Sequence, residues 1–279
     1  MSIWNASCDF VDKEVFIRPS HNSETLLVDH NSPSGLTHFG FLDVPEREKV
    51  AWVRQHFNTV AEKYDFMNTL LSFGIHYLWK RLAVRMMALR EGDRVLDVCG
   101  GTADLSLLAA RQVGPTGLVT LCDINWKMMA SGRPKVAASP WGRHITYLQA
   151  DAELLPLEND CYDAVMVGFG IRNLTHMEKG FEEMFRVLKP QGKIMCLEFS
   201  HPITPWFRCL YDLYSFFLMP ALGKLLVGSR RAYTYLPESI RLFPGPDGLK
   251  AILETIGFRQ VHYRRLTNGI AVIHLGTKP

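Results

Sequence analysis

The sequence predicts an α/β fold in which a mostly parallel sheet carries helices on both faces and ends in an antiparallel hairpin. Short runs rich in Val, Ile and Leu recur at RVLDV (94–98), LVTLCD (118–123), ITYLQA (145–150), YDAVMVG (162–168) and KIMCLEF (193–199). Such runs fit strands buried on both faces. Helical stretches alternate with them, which implies βαβ units. Near the end, RQVHYRRL and IAVIHLG are separated by Thr267-Asn268-Gly269, and Asn-Gly between apolar runs signals a hairpin. The total is seven strands.

Residues 1–36 are polar, with a turn-rich HNSPSG at 30–35 and no period. They read as an N-terminal extension for which partial disorder is the default, ahead of a single domain over 37–279. From Pro45 the pattern is helical: Val50, Val53, Phe57, Val60 and Ala61 form one stripe. A second helical region lies near 76–89, so N-terminal helices fill 45–89. DLSLLAARQV follows the first strand. WKMMASGRPKVAA follows the second, a weaker helix because of Gly132 and Pro134. THMEKGFEEMFRVL opens with a capping box from Thr175 to Glu178 and stops before Lys189-Pro190. An apolar segment over 203–228 begins a helical lid insertion (203–244). DGLKAILETIGF then ends at Gly257 as C-cap.

With 279 residues, 47% of them hydrophobic, the chain supports a sizeable core. A net charge of +3 leaves no basic stripe, which argues against a nucleic-acid partner. Six scattered cysteines form no CxxC pair; neither a metal centre nor a disulfide framework is expected, and most read as small buried hydrophobes. The first residues carry Asp9, Asp12 and Glu14 and no apolar core, unlike a secretory or mitochondrial leader, so a cytoplasmic location is expected. Cys209–Val227 is apolar enough to suggest a membrane span. Asp212, Pro220 and Lys224 interrupt it, and a central Asp costs about 2.5–3.5 kcal/mol in a bilayer. It reads as a buried or interfacial helix, with peripheral contact at the inner face of the membrane.

The first predicted strand runs into Cys99-Gly100-Gly101-Thr102-Ala103 and then a helix. Small residues let backbone approach a ligand, and a helix N-terminus offers free N–H donors. Ligands of open parallel sheets bind at the carboxyl ends of strands. G-x-G-x-x-G and Walker patterns are absent, which argues against a dinucleotide or a triphosphate. Asp123 ends the second strand and Asp151 follows the third. One acid at a strand end is commonly a cap or a solvated turn; two on one rim beside a small-residue turn suit a nucleoside with hydroxyl and amino groups but no phosphate. Adenosine carrying a sulfonium fits.

The blocks VAEKYDFMNTLLSFGIHYLWKR (60–81), VLDVCGGTADL (95–105), FGIRN (169–173), RVLKPQG (186–192), LEFSHP (197–202), AYTYLPESIRLFP (232–244) and TNGIAVIHLGTKP (267–279) resemble the ubiquinone/menaquinone biosynthesis C-methyltransferases (UbiE type), which are class I S-adenosylmethionine-dependent methyltransferases with a Rossmann-like fold. The resemblance implies S-adenosylmethionine as cofactor. Asp97 would shape the turn, Gly101 and Thr102 would approach the methionine moiety, and Asp123 would bind the ribose. Asp151 and Ala152 would contact adenine, with Gly168 beside the cofactor. It also implies a prenylated benzoquinol or naphthoquinol methylated on ring carbon. Arg172 is expected to stabilise the developing phenolate, the alternative being an ion pair with Glu198 or a helix cap. Tyr64 and His76 are candidates for the proton path. Asn173, Tyr211, Tyr214 and Tyr235 are expected to line the acceptor pocket, with core packing as the alternative for the tyrosines. A homodimer and contact with other quinone-biosynthesis enzymes are further expectations. A methyltransferase of another aromatic metabolite, or a non-catalytic scaffold, are the competing functions. The family turn usually has glycine where this chain has Ala103, a replacement free of strain only at negative φ.

Overall fold

The computed structural model describes residues 35–227 and 230–279; the predicted extension therefore lies almost wholly outside the described residues. The chain order is β1 (Leu36–Phe39), β2 (Leu42–Pro45), α1 (Glu46–Val60), α2 (Tyr64–Leu71), α3 (Ile75–Met87), β3 (Arg94–Val98), α4 (Asp104–Val113), β4 (Leu118–Asp123), α5 (Trp126–Ala137), β5 (Ile145–Gln149), β6 (Tyr162–Gly168), α6 (Met177–Val187), β7 (Leu188–Phe199), α7 (Pro205–Leu213), a π-helical turn (Tyr214–Leu218), α8 (Met219–Val227), α9 (Arg230–Leu242), α10 (Pro246–Ile256), β8 (Arg259–Leu266) and β9 (Ala271–Thr277).

Seven strands form one sheet in the order β5-β4-β3-β6-β7-β9-β8. The first five are parallel, and β9 pairs antiparallel with both β7 and β8. Side chains alternate between two cores, as the period of two requires. Val95, Leu121, Met166 and Met195 pack with Trp79, Val84 and Met87 of α3 and Ala109 of α4 on one face. Leu96, Val98, Val165 and Ile194 pack with Phe181 and Met184 of α6 and Leu253 of α10 on the other. Burying one such side chain contributes about 1.5–3 kcal/mol, so strands apolar on both sides are held only where helices cover both faces.

Several elements differ from the expectations. β1 and β2 form a separate antiparallel hairpin before Pro45, where no strand is predicted. The second helical region expected near 76–89 is α3, but α2 is not predicted as an element of its own; Phe73 (φ 51°) and Gly74 (φ 74°) lie in a left-handed backbone between the two. The Thr175–Glu178 capping box does not form: His176 is the N-cap without a side-chain cap, and Thr175 Oγ1 has no partner. Glu153 Oε1 instead accepts the N–H groups of Thr175 (2.6 Å) and His176 (2.9 Å), so a carboxylate from the β5–β6 connection supplies the negative charge that a helix start favours.

α5 tolerates both of its breakers. Asn125 caps it, accepting Met128 N–H at 3.2 Å. At Gly132 a Cβ would lie 2.5 Å from the Thr102 carbonyl oxygen, so glycine is required for α5 to pack on the loop after β3. Cys122, Cys161 and Cys196 are buried, whereas Cys209 is exposed; these and Cys99 are free thiols. Among the described residues no helix is long and apolar enough to cross a membrane.

Candidate active site

The chain runs from β3 outward to β4 and β5, then returns to place β6 on the other side of β3. At this reversal the loops leaving β3 and β6 diverge and open a cleft at the carboxyl ends of the strands. Gly101, Asp123, Asp151, Ala152, Gly168 and Asn173 border it. Asp123, at the end of β4, accepts Gly101 N–H at 2.9 Å and Asn125 N–H at 2.7 Å. Burial raises its carboxyl to about 6 against the lowering effect of those two bonds.

Asp97 and Thr102 do not border the cleft. Asp97 is wholly buried behind the turn, accepts Ser106 Oγ–H at 2.6 Å and is raised by burial to about 7. Its Oδ1 has no partner. Thr102 points away, its hydroxyl donating to Asp65 Oδ1 at 2.6 Å. Asp65 also receives Lys135 (2.8 Å), Lys135 pairs with Asp104, and Asp104 pairs with Lys80 (2.7 Å). This chain of partly buried charge ties α2 and α3 to α4 and α5.

The condition on Ala103 is not met: its φ is 72°, and that of Cys99 is 56°. Each left-handed non-glycine residue costs about 1–2 kcal/mol. The Cys99 side chain packs against Gly170, where an added Cβ would lie 2.3 Å from its own, so position 170 has room only for glycine.

α1 lies across the cleft. Val50, Val53, Arg54 and Phe57 border it. Lys49 Nζ donates to Leu174 O at 2.7 Å, and Asn125 Nδ2 donates to Arg54 O at 3.2 Å, so the helix is tied to both rims. Its stripe, legible as an amphipathic pattern, faces a ligand cleft as well as the core; periodicity alone does not separate the two.

A second, larger cavity of about 850 Å³ adjoins the first, with Phe57, Tyr64 and Phe169 bordering both. Arg172, Tyr64, His76, Tyr211, Tyr214 and Tyr235 all border it. Asn173 does not: it faces the smaller cleft, with its Oδ1 receiving Tyr235 O–H at 2.7 Å. Arg172 makes the alternative ion pair, Nη1 to Glu198 Oε2 at 2.9 Å, with both side chains under a tenth exposed. It nevertheless reaches the cavity wall. Tyr211 and Tyr235 are pushed by burial to about 12 and stay protonated donors. His76 is pulled by burial to about 4, and its Nδ1 is bonded to Ser72 Oγ at 2.6 Å. His56 also borders this cavity. Neither it nor Asp65 is marked by any sequence pattern, since a lone polar residue in an amphipathic helix ordinarily faces solvent.

Two carboxylates, backbone N–H groups and apolar walls suit a nucleoside without phosphate, and a second, largely apolar cavity adjoins the cleft. Two solved structures share the fold. A SAM-dependent methyltransferase from Aquifex aeolicus superposes with a TM-score of 0.53 at 20% identity, covering 72% of this chain and 89% of that one. The [4+2]-cyclase SpnF gives 0.59 at 15% identity, covering 81% and 95%. The sheet and cleft are those of a class I S-adenosylmethionine-dependent methyltransferase. Within that class the chain belongs to the ubiE/COQ5 methyltransferase family, whose profile matches residues 44–278. Similar relatives are the ubiquinone/menaquinone biosynthesis C-methyltransferases UbiE of Methylococcus capsulatus (47% identical, 87% of this chain and 98% of the relative) and of Stutzerimonas stutzeri (46%, 87% and 95%).

Proposed function

We propose that this protein transfers a methyl group from S-adenosylmethionine to a ring carbon of a polyprenyl benzoquinol or naphthoquinol. The observation that carries the reading is the meeting of the nucleoside-shaped cleft with a large aromatic-lined cavity at Phe57, Tyr64 and Phe169. The names of the relatives supply the substrate class.

The cofactor supplies an activated methyl on sulfur; the rest falls to the chain. Asp123 and Asp151 hold the nucleoside hydroxyls and amino group, with Gly101, Ala152 and Gly168 allowing close approach. Asp97 and Thr102 act from behind, Asp97 holding the turn through Ser106 and Thr102 anchoring it to Asp65. Holding two reactants in line supplies about 7–11 kcal/mol of rate acceleration. The ring carbon must also be activated by drawing a proton from a neighbouring hydroxyl. Taking a phenol of pKa about 10 to phenolate at pH 7 costs about 4 kcal/mol. The Arg172 guanidinium offsets that cost, and Tyr64 and His76, which border the same cavity, are candidates for the proton path. Tyr211, Tyr214 and Tyr235 line the ring and the first prenyl units, and Asn173 acts through Tyr235.

The lid of α7, the π-helical turn, α8 and α9 covers this cavity and presents Trp206, Leu210, Leu213 and Phe217 to the outside, each more than half exposed. Phe73, 85% exposed, stands beside Tyr214. An apolar patch at the mouth of an apolar cavity suits a peripheral membrane contact through which a prenyl tail enters.

The test is anaerobic incubation with methyl-labelled S-adenosylmethionine and a diprenyl benzoquinol, beside an unprenylated phenol. Label on a ring carbon of the quinol is expected. Cofactor binding with no labelled quinol rejects the assignment, and preference for the unprenylated phenol moves it to another aromatic metabolite.

A further inference from the structure

His56 lies on α1 and borders the acceptor cavity. Aromatic rings fix its plane: Tyr235 at 4.7 Å, and Phe57 and Phe39 edge-on at 5.0 and 6.0 Å. Two other inward-facing histidines each have a ring nitrogen engaged, His76 with Ser72 Oγ at 2.6 Å and His274 with Pro246 O at 2.9 Å. The His56 nitrogens have no such partner among the described residues, yet they are not sealed in the core. A ring nitrogen at a cavity wall that bonds nothing in the protein is free to accept a hydrogen bond from a ligand. Arg172 borders the same cavity, and its charge acts on the imidazole.

We propose that His56 is the base that takes the hydroxyl proton of the acceptor ring, with Arg172 facing the oxygen of that hydroxyl. This rests on the quinol reading above and gives that reaction its proton acceptor. Burial first, and Arg172 second, hold the imidazole at about 4, so it is neutral and has a lone pair to offer at neutral pH. A hydroxyl matches the pair: its oxygen accepts from the guanidinium while its hydrogen is given to the imidazole. As the O–H bond breaks and the N–H bond forms, phenolate appears between two cations. That charge raises the proton affinity of His56, while the guanidinium lowers that of the phenol. The ring carbon then bonds the methyl, and the former methyl–sulfur electron pair stays on sulfur. The ring C–H proton leaves to water, its bonding pair restores aromaticity, and His56 returns its proton to the ring oxygen. One proton is released per methyl transferred.

The experiment uses the full chain and its His56→Val and His56→Gln variants. Calorimetry without cofactor compares a diprenyl benzoquinol with its bis-O-methyl ether, which has no hydrogen to give. The parent is expected to favour the quinol by about tenfold, the worth of one well-made hydrogen bond. Valine should erase that preference, and glutamine, which keeps an acceptor oxygen, should retain it. In single turnovers with S-adenosylmethionine both variants should slow by about 100-fold, because neither can take the proton. S-adenosylmethionine affinity unchanged in all three proteins shows that they are folded. A valine variant that keeps both the preference and the rate of an active parent overturns the role of His56 alone. A parent that methylates no quinol overturns the quinol reading, and this proposal falls with it.

Discussion

At the scale of single residues, the acids of the cleft are the ones whose placement the sequence makes legible. Asp123 and Asp151 end apolar runs, and in a parallel sheet the end of a run is the rim of the site. Asp123 is already satisfied by two backbone N–H groups, so its remaining lone pairs are preset for a ligand. Asp123→Ala should weaken S-adenosylmethionine binding by at least about 100-fold in calorimetry, consistent with loss of two charge-assisted bonds at about 1.5–3 kcal/mol each. Because burial lifts this carboxyl to about 6, affinity that depends on the ionised form is complete above that pH. Below it, affinity falls by about tenfold per unit. Asp123→Asn should show no such slope. Ala103 was not legible: a small residue in a Gly-Gly-Thr turn gives no sign of its φ. Its left-handed backbone makes Ala103→Gly a stabilising change of about 0.5–1 kcal/mol, the strain relieved less the added freedom of the unfolded chain, measurable as a higher denaturation midpoint. His56 was hidden for a different reason, since its neighbours in the cavity come from β1, α9 and the loop after β6, far away in sequence.

Elements were legible where local pattern and burial agree. β3, β4, β6 and α4 coincide with their apolar runs, because nothing but burial between helices decides those segments. Boundaries went wrong where a distant group replaced a local one. The start of α6 is set by Glu153 rather than by its own Thr175, and β7 begins at Leu188 through pairing with Tyr162. α3 starts where the second helical run is expected, but α2 is not predicted as an element of its own, and the break between them holds Phe73 in a left-handed backbone that a bulky residue seldom adopts. α5 kept Gly132 for a reason of contact. Gly132→Ala drives a methyl into the Thr102 backbone, 2.5–2.8 Å away, and should cost about 1–3 kcal/mol of stability. Since that backbone carries the loop after β3, cofactor affinity should fall with it; a normal melting curve with normal affinity would show that the contact yields freely.

At the scale of the whole molecule, the sheet was legible from alternation alone, whereas the division of space above it was not. Two cavities meet because α1, α2 and the lid converge on one end of the sheet, and such convergence leaves no mark in any single segment. The outer face of the lid is apolar without being a span. Replacing Trp206 and Phe217 (each 69% exposed) together by Glu should abolish co-sedimentation with anionic vesicles. Cofactor affinity should stay within about threefold, since exposed sites away from the cleft shift energies by less than about 0.5 kcal/mol. Vesicle binding that survives the double change would move the contact elsewhere.

The bracing of α1 on both rims has a consequence for turnover. A nucleoside seated in the cleft would lie beside that helix, so exchange of spent for fresh cofactor is expected to require release of the Lys49 and Asn125 contacts. Product release slower than methyl transfer, read as a burst in the first turnover, is the expected outcome for a site crossed by a fifteen-residue helix. An enzyme built this way holds its by-product longest when it is most firmly folded: cooling, or any change that tightens α1, would make it a better trap and a slower worker.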